Sequence, residues 1–397
     1  MEQNDHVQVI PRASIPLWRD ERVLKGVAQV VSAALVIASL TFFAHNVLRA
    51  AEARGLGLGY DFLSQSAGMP LGESVIPYDP ADSYARAFLV GILNTLKVAV
   101  VGIVLATVVG TVTAVARLST NWLVSKIASV YIEIIRNVPL LVQLFVWYFA
   151  VYQQLPPVRE SIQLPGPIFL SQRGLYLPAP VAGPTFALWA ATVGVAAILA
   201  VILHTVLLRY QLRTGRTTRP TLIAGLLLVS IPLAAWFLVG QQPLTWDLPV
   251  ANRFNFRGGL QLTPEYAAML TGLVVYTGAF IAEVVRAGIL AVSRGQFEAA
   301  RALGLKDLQI LRLVVFPQAM RVIIPPLISQ YLNLTKNSSL AVAIGYLDLF
   351  YVGRTIINQA GQAVPVFVMV MATYLLMSLV TSLFLNIYNR RIQLVEH

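Results

Sequence analysis

The 397-residue chain contains no cysteine. That absence excludes disulfides, thiolate zinc sites and cysteine nucleophiles. It also contains no Gly-Lys dipeptide, so it lacks the glycine-rich phosphate loop whose lysine follows a glycine, and hydrolysis of ATP by this chain is not expected. Histidine is scarce: His6, His45, His204 and His397 lie far apart and show no metal-ligand spacing. No nucleophile elbow occurs, and no histidine is placed with a carboxylate, so an enzyme is not expected. Charge makes up only 12% of the chain, against roughly 25% in an average soluble domain. With 57% apolar residues and a mean hydropathy of +0.70, there is too little charge to cover a surface facing water. Acidic residues number 18 against 29 Lys and Arg, a net charge of +11. Nucleic acid is nonetheless excluded as a partner, because the basic residues sit in short tracts between apolar runs and form no stripe with interleaved aromatics.

What is present is a series of long apolar runs. Eight of them reach the length of about 20 residues needed to cross a bilayer as a helix, at approximately 24–47, 86–116, 122–152, 184–208, 221–240, 266–291, 321–345 and 364–388. The expected fold is therefore all-α and polytopic, with about eight transmembrane helices. The first run is longer than the apolar stretch of a signal peptide, roughly 7–15 residues, and is read as a retained span behind a polar tail. The connecting segments alternate in charge. One set carries Arg12, Arg19, Arg22 and Lys25; Arg117 and Lys126; Arg209, Arg213, Arg216 and Arg219; Arg294, Arg301, Lys306, Arg312 and Arg321; and Arg390 and Arg391, more than half of the 29 basic residues. That set is expected in the cytoplasm, with both termini on the same side. The opposite loops, about 48–85, 153–183 and 241–265, are long and rich in Pro, Gly and Asn; ordered caps, docking surfaces and plain connectors are all open readings.

Two spans carry more than length. In the second, Gly102, Ala106, Gly110 and Ala114 recur at a spacing of four, which puts them on one helix face and lets another helix approach closely. The seventh is expected to be interrupted, with Pro325-Pro326 near its start and Asn333, Lys336, Asn337, Ser338 and Ser339 midway. Broken, polar helix at membrane depth is tolerated where it is buried or lines a wet cavity, so this is the first sign of a translocation path.

Between the sixth and seventh spans, on the basic side, lies QFEAARALGLKDLQILRLVVFP (296–317). Glu298, Ala299 and Ala300 begin a short helix, and Gly304 suits its C-terminal end, where a left-handed residue is common. A second short helix, about Asp307 to Val315, is expected to end at Pro317. The result is a compact helix-turn-helix with a small-residue face and a basic rim, a shape that fits a partner's groove.

This stretch resembles the cytoplasmic coupling loop of the binding-protein-dependent ABC importer permeases: Glu-Ala-Ala, three residues, Gly, nine residues, then Ile-x-Leu-Pro. Here the pattern reads Glu298-Ala299-Ala300, Gly304, then Val314-Val315-Phe316-Pro317, with apolar replacements at the end. Tyr131–Gln143, YIEIIRNVPLLVQ, and Ala282–Gly288, AEVVRAG, resemble segments of the polar amino acid branch, and Lys336-Asn337-Ser338-Ser339-Leu340 falls where many members have Lys-Asp-Thr-Ser-Leu. The enlarged layout and Ile76-Pro77-Tyr78-Asp79-Pro80 resemble the general L-amino-acid permeases, which serve acidic amino acids, their amides and sometimes broader sets.

The resemblance implies a type I importer core of five helices: spans two, three, six, seven and eight. The expected division is a cytoplasmic tail (1–23), first span and outer loop (24–83), core helices (84–152), inserted outer loops with two extra spans (153–265), core with the coupling loop at 292–318 (266–388) and a cytoplasmic tail (389–397). It also implies partners: an ATPase dimer on the cytoplasmic face, which would hold the ATP and magnesium, a second and related permease, and a periplasmic amino-acid-binding protein, all at a bacterial inner membrane. No cofactor is expected on this chain. Glu298, Ala299, Ala300, Gly304 and Pro317 would couple to the ATPase, although a glutamate near a helix start also has capping value. Ionisable groups within spans are costly and therefore candidates for function. Tyr276, Phe280 and Glu283 share a helix face, and a carboxylate beside aromatic rings suits an ammonium group; an ion pair of Glu283 with Arg286 is the other open reading. Gln330, Asn333 and Asn337 share a face and could read amide or carboxylate side chains, with Lys336 receiving a carboxylate, or they could be polar helix-helix contacts. Glu133 and Arg136, three apart near Pro139, suggest a gating or structural ion pair, with substrate binding as the other reading. The rival function is a transporter driven by a proton or sodium gradient, which could borrow Glu283 for coupling but leaves the helix-turn-helix without a role.

Overall fold

The computed structural model describes residues 21–53, 58–238, 242–252 and 255–392. The first element, α1 (Glu21–Ala53), is an apolar helix whose described side chains are all exposed. An ordered segment then leads to α2 (Tyr84–Arg117), α3 (Trp122–Asn137) and α4 (Leu140–Phe145), the last continued by a π-helical stretch (Val146–Val151). Strands β1 (Ile162–Leu164), β2 (Ile168–Ser171), β3 (Gly174–Leu177) and β4 (Ala179–Ala182) precede a helical hairpin, α5 (Phe186–Thr214) and α6 (Pro220–Leu238). Strands β5 (Leu244–Asp247), β6 (Val250–Ala251), β7 (Phe256–Arg257) and β8 (Leu260–Leu262) lead into α7 (Pro264–Leu290). Then come α8 (Arg294–Ala302), α9 (Asp307–Ile310), α10 (Phe316–Asn337), α11 (Leu349–Ala360) and α12 (Ala363–Ile392). Among the described residues, seven helical segments are long and apolar enough to cross a membrane, eight if the bent pair 122–154 is counted as one span.

Local chemistry starts these helices where they start. Ser83 accepts from the Arg86 N–H, Asn121 from the Leu123 and Val124 N–H groups, and Thr263 from the Tyr266 N–H with Pro264 behind it, each satisfying donors that a helix N-terminus leaves unpaired. Proline does the breaking at 139. Pro139 has no N–H to offer the Ile135 carbonyl, and the chain turns by 105° between α3 and the helix that follows. The Gln143 amide donates instead, to Ile135 O and Val138 O at 2.9 Å each.

The core is centred on α7, buried on most of its circumference. Its closest neighbour is α2, whose Gly102, Ala106, Gly110 and Ala114 are all buried. A Cβ at Gly110 would stand 2.6 Å from Ile281 Cγ2 and 2.8 Å from the Gly278 carbonyl, so the small-residue row is what allows α2 and α7 to touch. Helix α10 packs on the same helix and on α12.

Two expectations are corrected, and two elements add to the reading. The chain is mostly helical as expected, and of the open readings for the loops 153–183 and 241–265 the ordered cap is the one observed, with an antiparallel sheet in the order β1-β2-β3-β8 and two ribbons, β4-β5 and β6-β7. Tyr176, Phe256 and Val158 are its buried core. Pro325-Pro326 does not interrupt the seventh span; α10 runs through both, and the helix tightens to 3₁₀ only after Asn337, ending at Gly345 with φ +82°. Nor does the helix after Asp307 stop at Pro317. A π-helical stretch (Leu311–Val315) widens the turn just before the proline and carries α9 into α10 without a break. Lastly, α11 is an amphipathic helix of its own between the seventh and eighth apolar runs, capped by Asp348, which accepts from the Tyr351 N–H at 2.8 Å.

Candidate functional site

Four groups of polar side chains stand out, at different depths along the bundle. The ends can be named from the chain path: β8 runs into α7 at the capped end, and α7 leaves the bundle through α8 at the opposite end.

At the opposite end, α8 and α9 form the hairpin that the sequence suggested. Gly304, at φ +77°, ends α8 in the conformation that only glycine adopts freely. Gly304 N–H donates to Arg301 O and Leu305 N–H to Ala300 O, the paired closure that satisfies a helix's last carbonyls. Arg301 pairs with Asp307 at 3.1 Å across the turn. Ala300 is buried against the core, whereas Glu298, Ala299 and Pro317 are exposed. Leu303 and Leu308 are 81% and 76% exposed beside them. Glu298 lies in the second turn of α8 and makes no hydrogen bond to the helix start among the described residues, so capping does not occupy it. The hairpin thus carries an exposed carboxylate and two bare leucines, none of them used in its own packing.

Above this hairpin lies a charged joint. Glu283 on α7 stands between two arginines: one oxygen pairs with Arg117 at the end of α2, the other with Arg286 at 3.0 Å. Arg136 on α3 lies 5.1 Å from the centre of the Phe280 ring, and the Phe280 and Tyr276 rings meet at a tilt with 4.9 Å between their centres. The ammonium trap suggested by Tyr276, Phe280 and Glu283 is therefore already filled by the chain's own cations. Glu133 and Arg136 are both exposed and do not pair with each other among the described residues, which corrects the expected ion pair; Arg286 is paired, with Glu283. The joint ties the ends of α2 and α7 together and leaves more positive than negative charge there.

The face of α10 is different. Asn333 and Lys336 are exposed, and Gln330 and Asn337 are half-buried. Among the described residues, none of these four side chains makes a hydrogen bond or ion pair within the chain, so they are not contacts between helices of this subunit. Unpaired donors and acceptors on one helix face are free for a ligand or a second subunit.

Sequence reasoning missed a buried polar knot at the capped end. Glu73, 9% exposed, pairs with Lys97 on α2 at 2.6 Å and accepts from the Thr263 hydroxyl at 2.6 Å. The same hydroxyl caps α7. Lys97 lies 4.2 Å from the Tyr266 ring centre. Asn94 donates to Glu73 O and to Leu347 O, and Tyr346 donates to Asn94 O. The segment bearing Glu73 also packs Phe62, Ala67 and Met69 against α2, α11 and α12. Its Tyr78 donates to Met69 O, and burial together with Asp82 and Asp79 raises the Tyr78 pKa above the ordinary phenol value. Lys97, a lone cation inside an apolar run, was the available signal. No group of three or more possible metal ligands occurs among the described residues.

Residues 99–394 match the family described as binding-protein-dependent transport system inner membrane component. A protein of Escherichia coli (strain K12), named provisionally as an amino-acid ABC transporter permease, is 48% identical over 93% of this chain and 94% of its own length. The general L-amino acid transport system permease of Rhizobium johnstonii is 44% identical over 93% of this chain and 92% of its own. The glutamate/glutamine/aspartate/asparagine transport system permease of Rhodobacter capsulatus is 38% identical over 95% of both.

Proposed function

The chain belongs to the binding-protein-dependent inner membrane transport components, the permeases of ABC importers, and on that premise we propose that it carries polar L-amino acids, acidic ones and their amides among them, by alternating access. The observation that carries the reading is the α8–α9 hairpin. It presents Glu298, Leu303 and Leu308 to a partner and runs without a break through the π-helical stretch into α10. A push on the hairpin is thereby a push on a spanning helix. The partner would be an ATPase dimer in the cytoplasm that binds ATP and magnesium. Its closure around ATP would open the path outward, and release of ADP would open it inward. A related permease would line the other half of the path, and an extracytoplasmic amino-acid-binding protein would deliver substrate at the capped end.

Within the path, the unpaired face of α10 is the better substrate surface. Among the described residues Lys336 has no counter-ion, which suits a carboxylate, while Gln330, Asn333 and Asn337 can both donate and accept, which serves glutamate and glutamine alike. Glu283, held between Arg117 and Arg286, is a joint rather than an ammonium site. Its place near the end of α2 suits a gate.

The test is uptake in proteoliposomes holding this permease with its ATPase and partner permease. Radiolabelled Glu, Gln, Asp, Asn, Arg, His and Leu are offered with and without the binding protein. Uptake is expected to require both ATP and the binding protein, and to favour the acidic residues and their amides. Uptake that ignores ATP and follows a proton or sodium gradient would replace this reading with a secondary transporter.

A further inference from the structure

The turn between α5 and α6 carries Arg209, Arg213, Arg216 and Arg219 within eleven residues. All four side chains are exposed. No aspartate or glutamate occurs between Glu160 and Asp247, and none of the four takes part in an ion pair among the described residues. The cluster is therefore not neutralised by any described residue of the chain. Nor is it a loose loop. Gly215, at φ +67°, reverses the chain, and the Thr218 hydroxyl lies within hydrogen-bond distance of Leu207 O and Gln211 Oε1, which folds the turn back on the end of α5. The arginines are held as a group.

Their setting identifies the counter-charge. Helices α5 and α6 pack on each other, with Ala196 and Ala200 in the seam, and make no extensive contact with α2, α7, α10 or α12 among the described residues. The hairpin joins the rest of the fold through the β4-β5 ribbon at the capped end, so the arginine turn lies at the opposite end, on the α8–α9 side. Interleaved with Arg209 and Arg213 at the end of α5, Leu208, Tyr210 and Leu212 are exposed. Bare aliphatic side chains beside a tyrosine and a ring of arginines mark the level at which hydrocarbon gives way to head groups. Arginine suits a phosphodiester there, because its planar fork meets two oxygens at once and is weakly hydrated. Near an anionic membrane surface each such residue strengthens attraction about fivefold.

We propose that Arg209, Arg213, Arg216 and Arg219 form a binding site for the phosphodiester head groups of anionic phospholipids in the cytoplasmic leaflet. Only the name of the leaflet rests on the proposed orientation; the binding itself does not depend on the chain being an importer, so the uptake experiment can fail while this one succeeds.

The experiment is native mass spectrometry of the full-length, detergent-purified and delipidated permease, titrated with phosphatidylglycerol or phosphatidylcholine. The wild type is expected to retain phosphatidylglycerol on the order of tenfold better or more, with the preference shrinking as salt rises from about 0.05 M to about 0.5 M. Changing all four arginines to glutamine is expected to bring the two lipids to parity. Changing all four to lysine keeps the charge but not the fork and is expected to weaken the preference without abolishing it, and this variant decides the matter if the glutamine variant does not accumulate. Equal retention of both lipids by the wild type would overturn the proposal, as would an undiminished preference in the glutamine variant or loss of the preference in the lysine variant. Displacement of the lipid by inorganic phosphate at the same ionic strength as a chloride control would also overturn it, by pointing to a soluble anion.

Discussion

At the residue scale, charge is informative according to whether the chain satisfies it. Glu298 is exposed and has no partner within the chain among the described residues. Glu298→Arg is expected to abolish uptake while leaving the amount of permease in the membrane unchanged; normal uptake by this variant would remove Glu298 from the coupling role. Glu73 is the opposite case, buried and doubly engaged. Glu73→Gln leaves Lys97 half-buried without its anion and weakens the hydrogen bond from Thr263, a loss of about 1.5–3 kcal/mol. A fall in the thermal midpoint of the detergent-purified protein is the expected readout. Replacing Glu73 and Lys97 together with methionine should recover most of it, because the larger cost lies in stranding one charge. If the double variant is no better than the single one, the ion pair is not what holds the segment down.

At the scale of elements, the contact of α2 with α7 depends on missing side chains. Gly110→Ala would press a methyl group into Ile281 and the Gly278 carbonyl, and the neighbouring backbone leaves it no escape. A destabilisation of about 1–3 kcal/mol is expected, read as a lower thermal midpoint. Gly225, inside α6, has nothing within 4 Å of its would-be Cβ. Gly225→Ala should be neutral or stabilising by about 0.5–1 kcal/mol, because a helix prefers alanine. Reversal of this order between the two sites would mean that α2 and α7 do not approach as closely as described. The broken helix at Pro139 shows a different economy of parts: proline removes one donor and the Gln143 side chain supplies another, so a 105° bend leaves the Ile135 carbonyl satisfied.

At the scale of the whole molecule, the path of the chain puts the β cap at one end and two turns, 215–219 and 303–306, at the other. The absence of cysteine makes this easy to check. Single cysteines at Thr214 and Leu303 should react with a membrane-impermeant maleimide from the same side, and one at Gln172 from the opposite side. Labelling of Thr214→Cys together with Gln172→Cys would place the α5–α6 hairpin the other way round. This experiment also tests the orientation that the basic residues suggest.

Much of this protein is written locally. Apolar length marks the spans because a bilayer selects for composition over a contiguous stretch, and this is a property of the run itself. Caps such as Ser83, Asn121 and Thr263, the break at Pro139 and the Glu298–Gly304 hairpin are likewise short-range, set by which backbone donors and carbonyls neighbouring side chains can satisfy. The tertiary structure decided what the polar residues do. Helical spacing put Glu283 beside Tyr276 and Phe280, but Arg117 and Arg136 arrive from other helices and occupy the site first. Glu73, Lys97 and Thr263 meet across 190 residues of chain, the cap's strands pair across the inserted hairpin, and the π-helical stretch before Pro317 turns an expected stop into a continuous helix. In each case the deciding quantity is the energy of a contact between distant segments, and that energy exists only once the fold has brought them together.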